Sequence, residues 1–191
     1  MDGSVTTDDI MQVRAHSDVL VSTAAVQLAL DEMALRIARS CAQHDPLLLC
    51  VMNGGLFTTS EIARRCDFAM QMDYLQVSRY RSATSGGELH WLARPQVALA
   101  GRVVVVIDDI LDRGNTLAEV LAWCRGEGAA EVLSAVLVDK RITAPRAIAA
   151  DIVGVQCPDR YLYGCGMDYR GYWRNLPAIY GVRDDYFASL G

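Results

Sequence analysis

Apolar and polar positions change rhythm several times along the chain, and each change marks an element. Between Ser17 and about Ala42 the apolar residues Val26, Leu30, Met33 and Ile37 recur at helical spacing, which predicts one amphipathic, alanine-rich helix. Pro46 punctuates the chain after it. LLLCVM, from Leu47 to Met52, is a short unbroken apolar run, the pattern of a strand buried on both faces. A glycine turn follows, and then a helical stretch from Leu56 to Cys66. Phe68 to Arg81 alternates well enough for one or two strands, and Ser82 to Trp91 is small, polar and glycine-rich, predicting a long mobile loop. RVVVVI, from Arg102 to Ile107, is the clearest strand, because β-branched residues in a row favour extended backbone. A helix from Thr116 to about Gly126 and strands at Val132 to Val138 and Asp151 to Gln156 complete the regular pattern. Residues 1–16 read as a loosely held arm, and the aromatic, turn-rich tail from Pro158 reads as an added lobe.

Strands alternating with helices predict an α/β fold with a mainly parallel central sheet flanked by helices. The 191 residues fit a single domain with a small accessory lobe. Composition sharpens this only a little. With 52% hydrophobic and 21% charged residues the chain is globular. Its net charge of -5 weighs against nucleic-acid or anionic-membrane binding. The six cysteines form no C-x-x-C pair and the three histidines are scattered, so buried reduced thiols are expected and a zinc site is not. The acidic N-terminus lacks signal-peptide character, and no apolar run approaches the ~18 residues of a spanning helix. A soluble, cytoplasmic protein is expected.

The chemistry concentrates in VVVVIDDILDRGNT, Val103 to Thr116. Its acids Asp108, Asp109 and Asp112 have the DDxxD spacing of helical diphosphate sites. Here, however, they follow four valines, and Gly114 would weaken a helix at that point. The acids are therefore expected on a loop at the carboxyl end of a buried parallel strand, where open α/β sheets bind ligands. A glycine turn opening onto a helix suits a phosphate monoester, with Thr116 adding a donor or capping the helix. Asp108 and Asp109 would repel that phosphate, so they suit ribose hydroxyls or magnesium waters. Asp112 is left as a candidate general base.

This segment resembles the phosphoribosyl-diphosphate (PRPP) signature of type I phosphoribosyltransferases. LLLCVMNGG, YLQVSRYRSATSGGEL, VLVDKR and VQCPDRYLYGCGMDYRGYWRNLP also resemble hypoxanthine-guanine phosphoribosyltransferases in order and spacing, over roughly residues 20 to 185. The resemblance implies transfer of phosphoribose from PRPP to N9 of a 6-oxopurine, with release of pyrophosphate. It further implies Mg2+ as cofactor, a homodimer or homotetramer, and a hood built from the N-terminal arm and residues 158–191.

The resemblance also assigns roles. Asp112 matches the acid that meets purine N7 as proton acceptor, and Asp108 and Asp109 match the pair that contacts ribose hydroxyls and magnesium waters. Arg113, Gly114, Asn115 and Thr116 complete the 5'-phosphate cradle. Lys140 matches the donor to purine O6, where an ammonium favours a 6-oxo over a 6-amino group. Tyr161 matches the stacking aromatic and Leu162 a backbone contact to the base edge. Asp168 matches the acid that places magnesium, its backbone can also face the purine 2-position, and Arg174 matches the arginine that meets the pyrophosphate. Asn53 and Gly54 match the pyrophosphate loop, whose preceding peptide, here Met52–Asn53, can be cis. Arg79 and Tyr80 match the tip of a closing lid. Three positions depart from the pattern: Asn53 stands where many relatives carry Lys or Arg, Arg113 replaces a common Thr, and Asn115 replaces a frequent basic residue. A PRPP-sensing regulator and a transferase for another base remain as competing readings.

Overall fold

A computed structural model describes residues 7–79 and 89–189. In chain order the elements are α1 (Thr7–Ala15), β1 (Ser17–Val21), α2 (Thr23–Cys41), β2 (Leu47–Met52), α3 (Gly55–Ala63), β3 (Gln71–Arg79), β4 (Leu89–Ala93), β5 (Val103–Leu111), α4 (Asn115–Gly126), β6 (Glu131–Arg141), β7 (Ile152–Pro158), β8 (Leu162–Tyr163), β9 (Ile179–Val182) and α5 (Asp184–Ser189). The larger sheet has the order β4-β3-β2-β5-β6-β7. Its pairings are parallel except β3 with β4, as the alternation of strands and helices predicts. Helices cover both faces, so the valine run of β5 is buried on both. Val103, Val105 and Ile107 pack with Leu30, Met33 and Ile37 of α2. Val104 and Val106 pack with Leu117, Val120 and Leu121 of α4.

A second sheet, of order β1-β9-β8, joins a strand that precedes the large sheet in sequence to two strands of the tail. It corrects the reading of the first forty residues. The span from Ser17 is not one helix: β1 pairs antiparallel with β9, Ser17 opposite Val182 and Val19 opposite Tyr180. The helix begins only at Thr23, after Ser22, whose hydroxyl accepts from the Ala25 amide at 3.3 Å. Ser-Asp-Val-Leu-Val satisfies either rhythm locally, and a partner strand from the far end of the chain decides it. Nor are residues 1–16 all a loose arm. From Thr7 they form α1, which buries Ile10 and Val13 against Tyr163, Tyr169, Leu176 and Val182. Trp173 Nε1 donates to the Ile10 carbonyl at 2.8 Å.

Two further expectations shift. Residues 89–91, read as the end of a loop, begin β4, which pairs with β3. The rest of that loop, through residue 88, lies outside the described residues. Strand β5 also runs four residues past Ile107, with Asp108 opposite Val136 and Leu111 opposite Asp139. Asp108 and Asp109 thus stand near the carboxyl end of a paired strand and not on a loop.

Candidate active site

Asp109 continues the β5 row formed by Val105 and Ile107, beneath α3, and is only 7% exposed. The turn into α3 is shaped around it. A Cβ at Gly54 would collide with the Asp109 carboxylate, and one at Gly55 would lie 2.5 Å from the Ile107 carbonyl oxygen. A Cβ at Gly166 would in turn collide with the Gly54 carbonyl. At Gly55 and Gly166 backbone meets backbone and glycine is required, while at Gly54 the backbone meets the Asp109 carboxylate. Gly54 was recognised from the sequence, whereas Gly55 and Gly166 were not. The peptide Met52–Asn53 is cis.

The neighbouring Asp108 accepts from the Asp109 amide at 2.9 Å. Burial pushes its carboxyl well above the usual carboxylate range, and the Asp109 charge adds to this. Burial raises Asp109 as well, while Arg174 draws both back. Two adjacent, poorly hydrated carboxyls resist carrying two charges until cations or hydroxyl donors reach them.

Beyond Leu111 the chain turns at Gly114, whose φ of 77° is the left-handed conformation that glycine adopts without penalty. Helix α4 starts at the next residue, so Thr116 lies in the first turn and not at the cap; the cap position is Gly114, which offers no side chain. The turn is braced from outside: the Ala147 amide donates to the Arg113 carbonyl at 3.1 Å, and Ile148 packs against Gly114. Residues 108–117 line a hollow of about 570 Å³ at this helix N-terminus. First-turn amides lack intrahelical partners and the helix dipole is positive there, so the hollow is chemically suited to an anion.

An adjoining cleft of about 400 Å³ shares Asp108, Asp109 and Asp112 and adds Asn53, Gly54, Lys140, Tyr161, Leu162, Asp168 and Arg174. Lys140 sits near the end of β6, opposite Cys157 of β7. Its ammonium lies 3.3 Å from Asp112 Oδ2 and 2.9 Å from Asp159 Oδ1. Tyr161 meets Tyr169 edge-on at 5.5 Å, and burial raises its phenol, which stays neutral. Leu162 is held in β8 by pairing with Gly181. Asp168 is bound on both oxygens, by Arg174 at 2.6 Å and by the Gly171 amide at 2.7 Å. Arg174 also donates to the Gly166 carbonyl at 2.6 Å, and Gly166 in turn lies against the Gly54 carbonyl. The cleft thus gathers the expected residues except the phosphate cradle, Arg113 to Thr116, which lines the adjoining hollow, and the lid. Arg79 ends β3 opposite Leu89, and Tyr80 lies outside the described residues. Asp159 was missed, although an acid two residues before Tyr161 was a readable signal.

Among the described residues no three His, Cys, Asp or Glu side chains converge as a metal cage. The donor set fits magnesium in another way. Mg2+ keeps several waters and takes one or two carboxylates alongside substrate phosphates, and the buried acid pair beside the anion hollow offers that arrangement.

The model of the phosphoribosyl transferase domain matches residues 16–170. The chain belongs to this family. Within it, the hypoxanthine-guanine phosphoribosyltransferase of Bacillus subtilis is 31% identical over 162 residues, covering 84% of this chain and 90% of the relative. A hypoxanthine-guanine phosphoribosyltransferase of Bacillus anthracis, solved with HEPES in the active site, superposes with a TM-score of 0.79 at 27% identity, covering 86% and 95% of the two chains. A hypoxanthine phosphoribosyltransferase of Staphylococcus aureus shares the fold over 95% of this chain and 99% of its own, with a TM-score of 0.85 at 23% identity.

Proposed function

We propose that this protein is a purine salvage enzyme that transfers the 5-phosphoribosyl group of PRPP to N9 of hypoxanthine or guanine, with xanthine as a further candidate. The observation that carries the reading is one continuous recess that holds an anion hollow at a helix N-terminus, a buried acid pair and a lysine–aspartate pair beside an aromatic ring. Those are the three recognition tasks of the reaction. The phosphate would rest on the amides of Gly114 to Thr116, with Arg113 and Asn115 at its rim. Asp108 and Asp109 would accept from the ribose hydroxyls. The base would lie against Tyr161, its edge at Leu162, with O6 at Lys140 and N7 at Asp112. As the bond from C1' to the pyrophosphate oxygen breaks and the bond to N9 forms, Asp112 takes the proton the base loses. Asn53, Gly54 and Arg174 would hold the leaving pyrophosphate.

Magnesium, with Asp108, Asp109 and Asp168 as the carboxylates toward it, would neutralise charge on the leaving group when bound. The three-stranded sheet with α1 would serve as a hood, and residues 79–80 as part of a lid that keeps water from the reacting carbon. Exposed Leu56, Met72 and Tyr74 along α3 and β3 support self-association as a dimer or tetramer. The six free cysteines support a reducing, cytoplasmic setting. Among the described residues no helix is long and apolar enough to cross a membrane.

The test is product formation from PRPP and magnesium with hypoxanthine, guanine, xanthine, adenine or uracil. Nucleotide from 6-oxopurines alone, lost in Asp112→Ala, is expected. No product from any base while PRPP still binds would instead support a PRPP sensor.

A further inference from the structure

We propose that Asp159 is a positioning residue of the base site: it holds the Lys140 ammonium in place while Asp112 turns to the purine. The inference rests on the reading of Lys140 and Asp112 as base contacts. The lysine side chain is only 14% exposed and is shared between two carboxylates, Asp159 at 2.9 Å and Asp112 at 3.3 Å. Lys140 and Asp112 line the cleft, whereas Asp159 stands outside it. An ammonium has three donors. That of Lys140 donates to Asp112 Oδ2 and lies in ion-pair contact with Asp159 Oδ1, which leaves donor capacity for an oxygen in the cleft, where a 6-oxo group would lie.

The two carboxylates cannot have the same duty. Asp112 has to present an oxygen to the base, and its contact with the lysine through Oδ2 is the longer of the two. Without a second acceptor, the ammonium would follow Asp112 or leave a donor unpaired in a poorly hydrated place. Asp159 prevents both, and the fold fixes it for that task. It follows Pro158, which is in register with Arg141 at the end of β6. It precedes Arg160, which donates to the carbonyls of Val182 and Gly181 at 2.9 and 2.7 Å and pairs with Asp18 at 2.8 Å. Asp159 is thus pinned between the two sheets, and it ties a lysine of the large sheet to the small one. The same tether bears on selectivity. A lysine held from behind cannot swing away to admit a 6-amino group, so donor faces donor and adenine is refused.

The experiment is steady-state kinetics with Asp159→Asn, Asp159→Glu, Lys140→Met and the Asn/Met double variant, with each substrate varied in turn. For Asp159→Asn, the KM for hypoxanthine and guanine is expected to rise about ten-fold, with the KM for PRPP unchanged. Asp159→Glu should recover most of the loss. In the Lys140→Met background the Asn substitution should add nothing, since it acts only through the lysine. A base KM unmoved in Asp159→Asn, or a full ten-fold loss persisting without Lys140, overturns the assignment of Asp159 alone. A base KM unmoved in Lys140→Met overturns the reading of the base site, and with it this proposal.

Discussion

The half of the recess proposed for phosphate and ribose and the half proposed for the base are built by different means. The first comes from one contiguous stretch, Val103 to Leu117: a strand, a turn and the opening of a helix. Its acids are carried on a paired strand of the large sheet, and its turn is fixed by a left-handed glycine. The second draws on β6, the β7–β8 connection, β8 and the turn that holds Asp168 and Arg174. These are steadied by β1 and α1 from the other end of the chain. The first half is rigid because strand pairing and core packing hold it. The second hangs on the large sheet through β6, and otherwise on ion pairs and a small sheet with a smaller apolar cluster beneath it.

Substitutions can break this contrast or sharpen it. The largest effect belongs to the group between the halves. Asp112→Asn keeps the shape and removes the proposed proton acceptor, so kcat should fall by about 10²–10⁴-fold while PRPP binding, measured by calorimetry, is retained. Next comes Arg160→Leu, which leaves the Gly181 and Val182 carbonyls without their donor. It should lower unfolding free energy by about 2–3 kcal/mol, read by denaturant melts. Amide exchange should quicken in β1 and β9 and stay slow in β5, and equal acceleration in both sheets would mean that the halves are not separate. The smallest effect is a gain. Because burial raises the folded-state carboxyls of Asp108 and Asp109, the pair's favourable contribution is complete at low pH and is lost as pH rises from the ordinary carboxylate range through the raised value. Asp109→Asn should therefore raise the Tm of the ligand-free protein at neutral pH by about 2–4 °C and flatten its pH dependence while abolishing activity. An unchanged Tm would mean that the pair is not a strained site.

The sequence was most legible where contacts are local. The valine run, the acids after it and Gly114 before a helix each carry their reason within a few residues, and the alternation of strands and helices announced the sheet. It misled at Ser17 to Val21, where a segment compatible with either rhythm becomes a strand because Ile179 to Val182 supplies a partner. It also misled at Asp108 and Asp109, which pairing with β6 keeps in the strand, and at residues 7–15, where a weakly amphipathic segment becomes a helix by burying Ile10 and Val13 under the tail.

By itself, then, the sequence determined the parallel core, the glycine turn into α4 and the identity of the charged groups, since hydrophobic periodicity and backbone preference act over short distances. Only the tertiary structure decided that one lysine would stand between Asp112 and Asp159 and that glycines 55 and 166 would let separate stretches of backbone meet. It also decided that the chain's two ends would share a sheet. Each of these depends on groups that are far apart in sequence, and the packing of the whole molecule brings them within a few ångströms of one another.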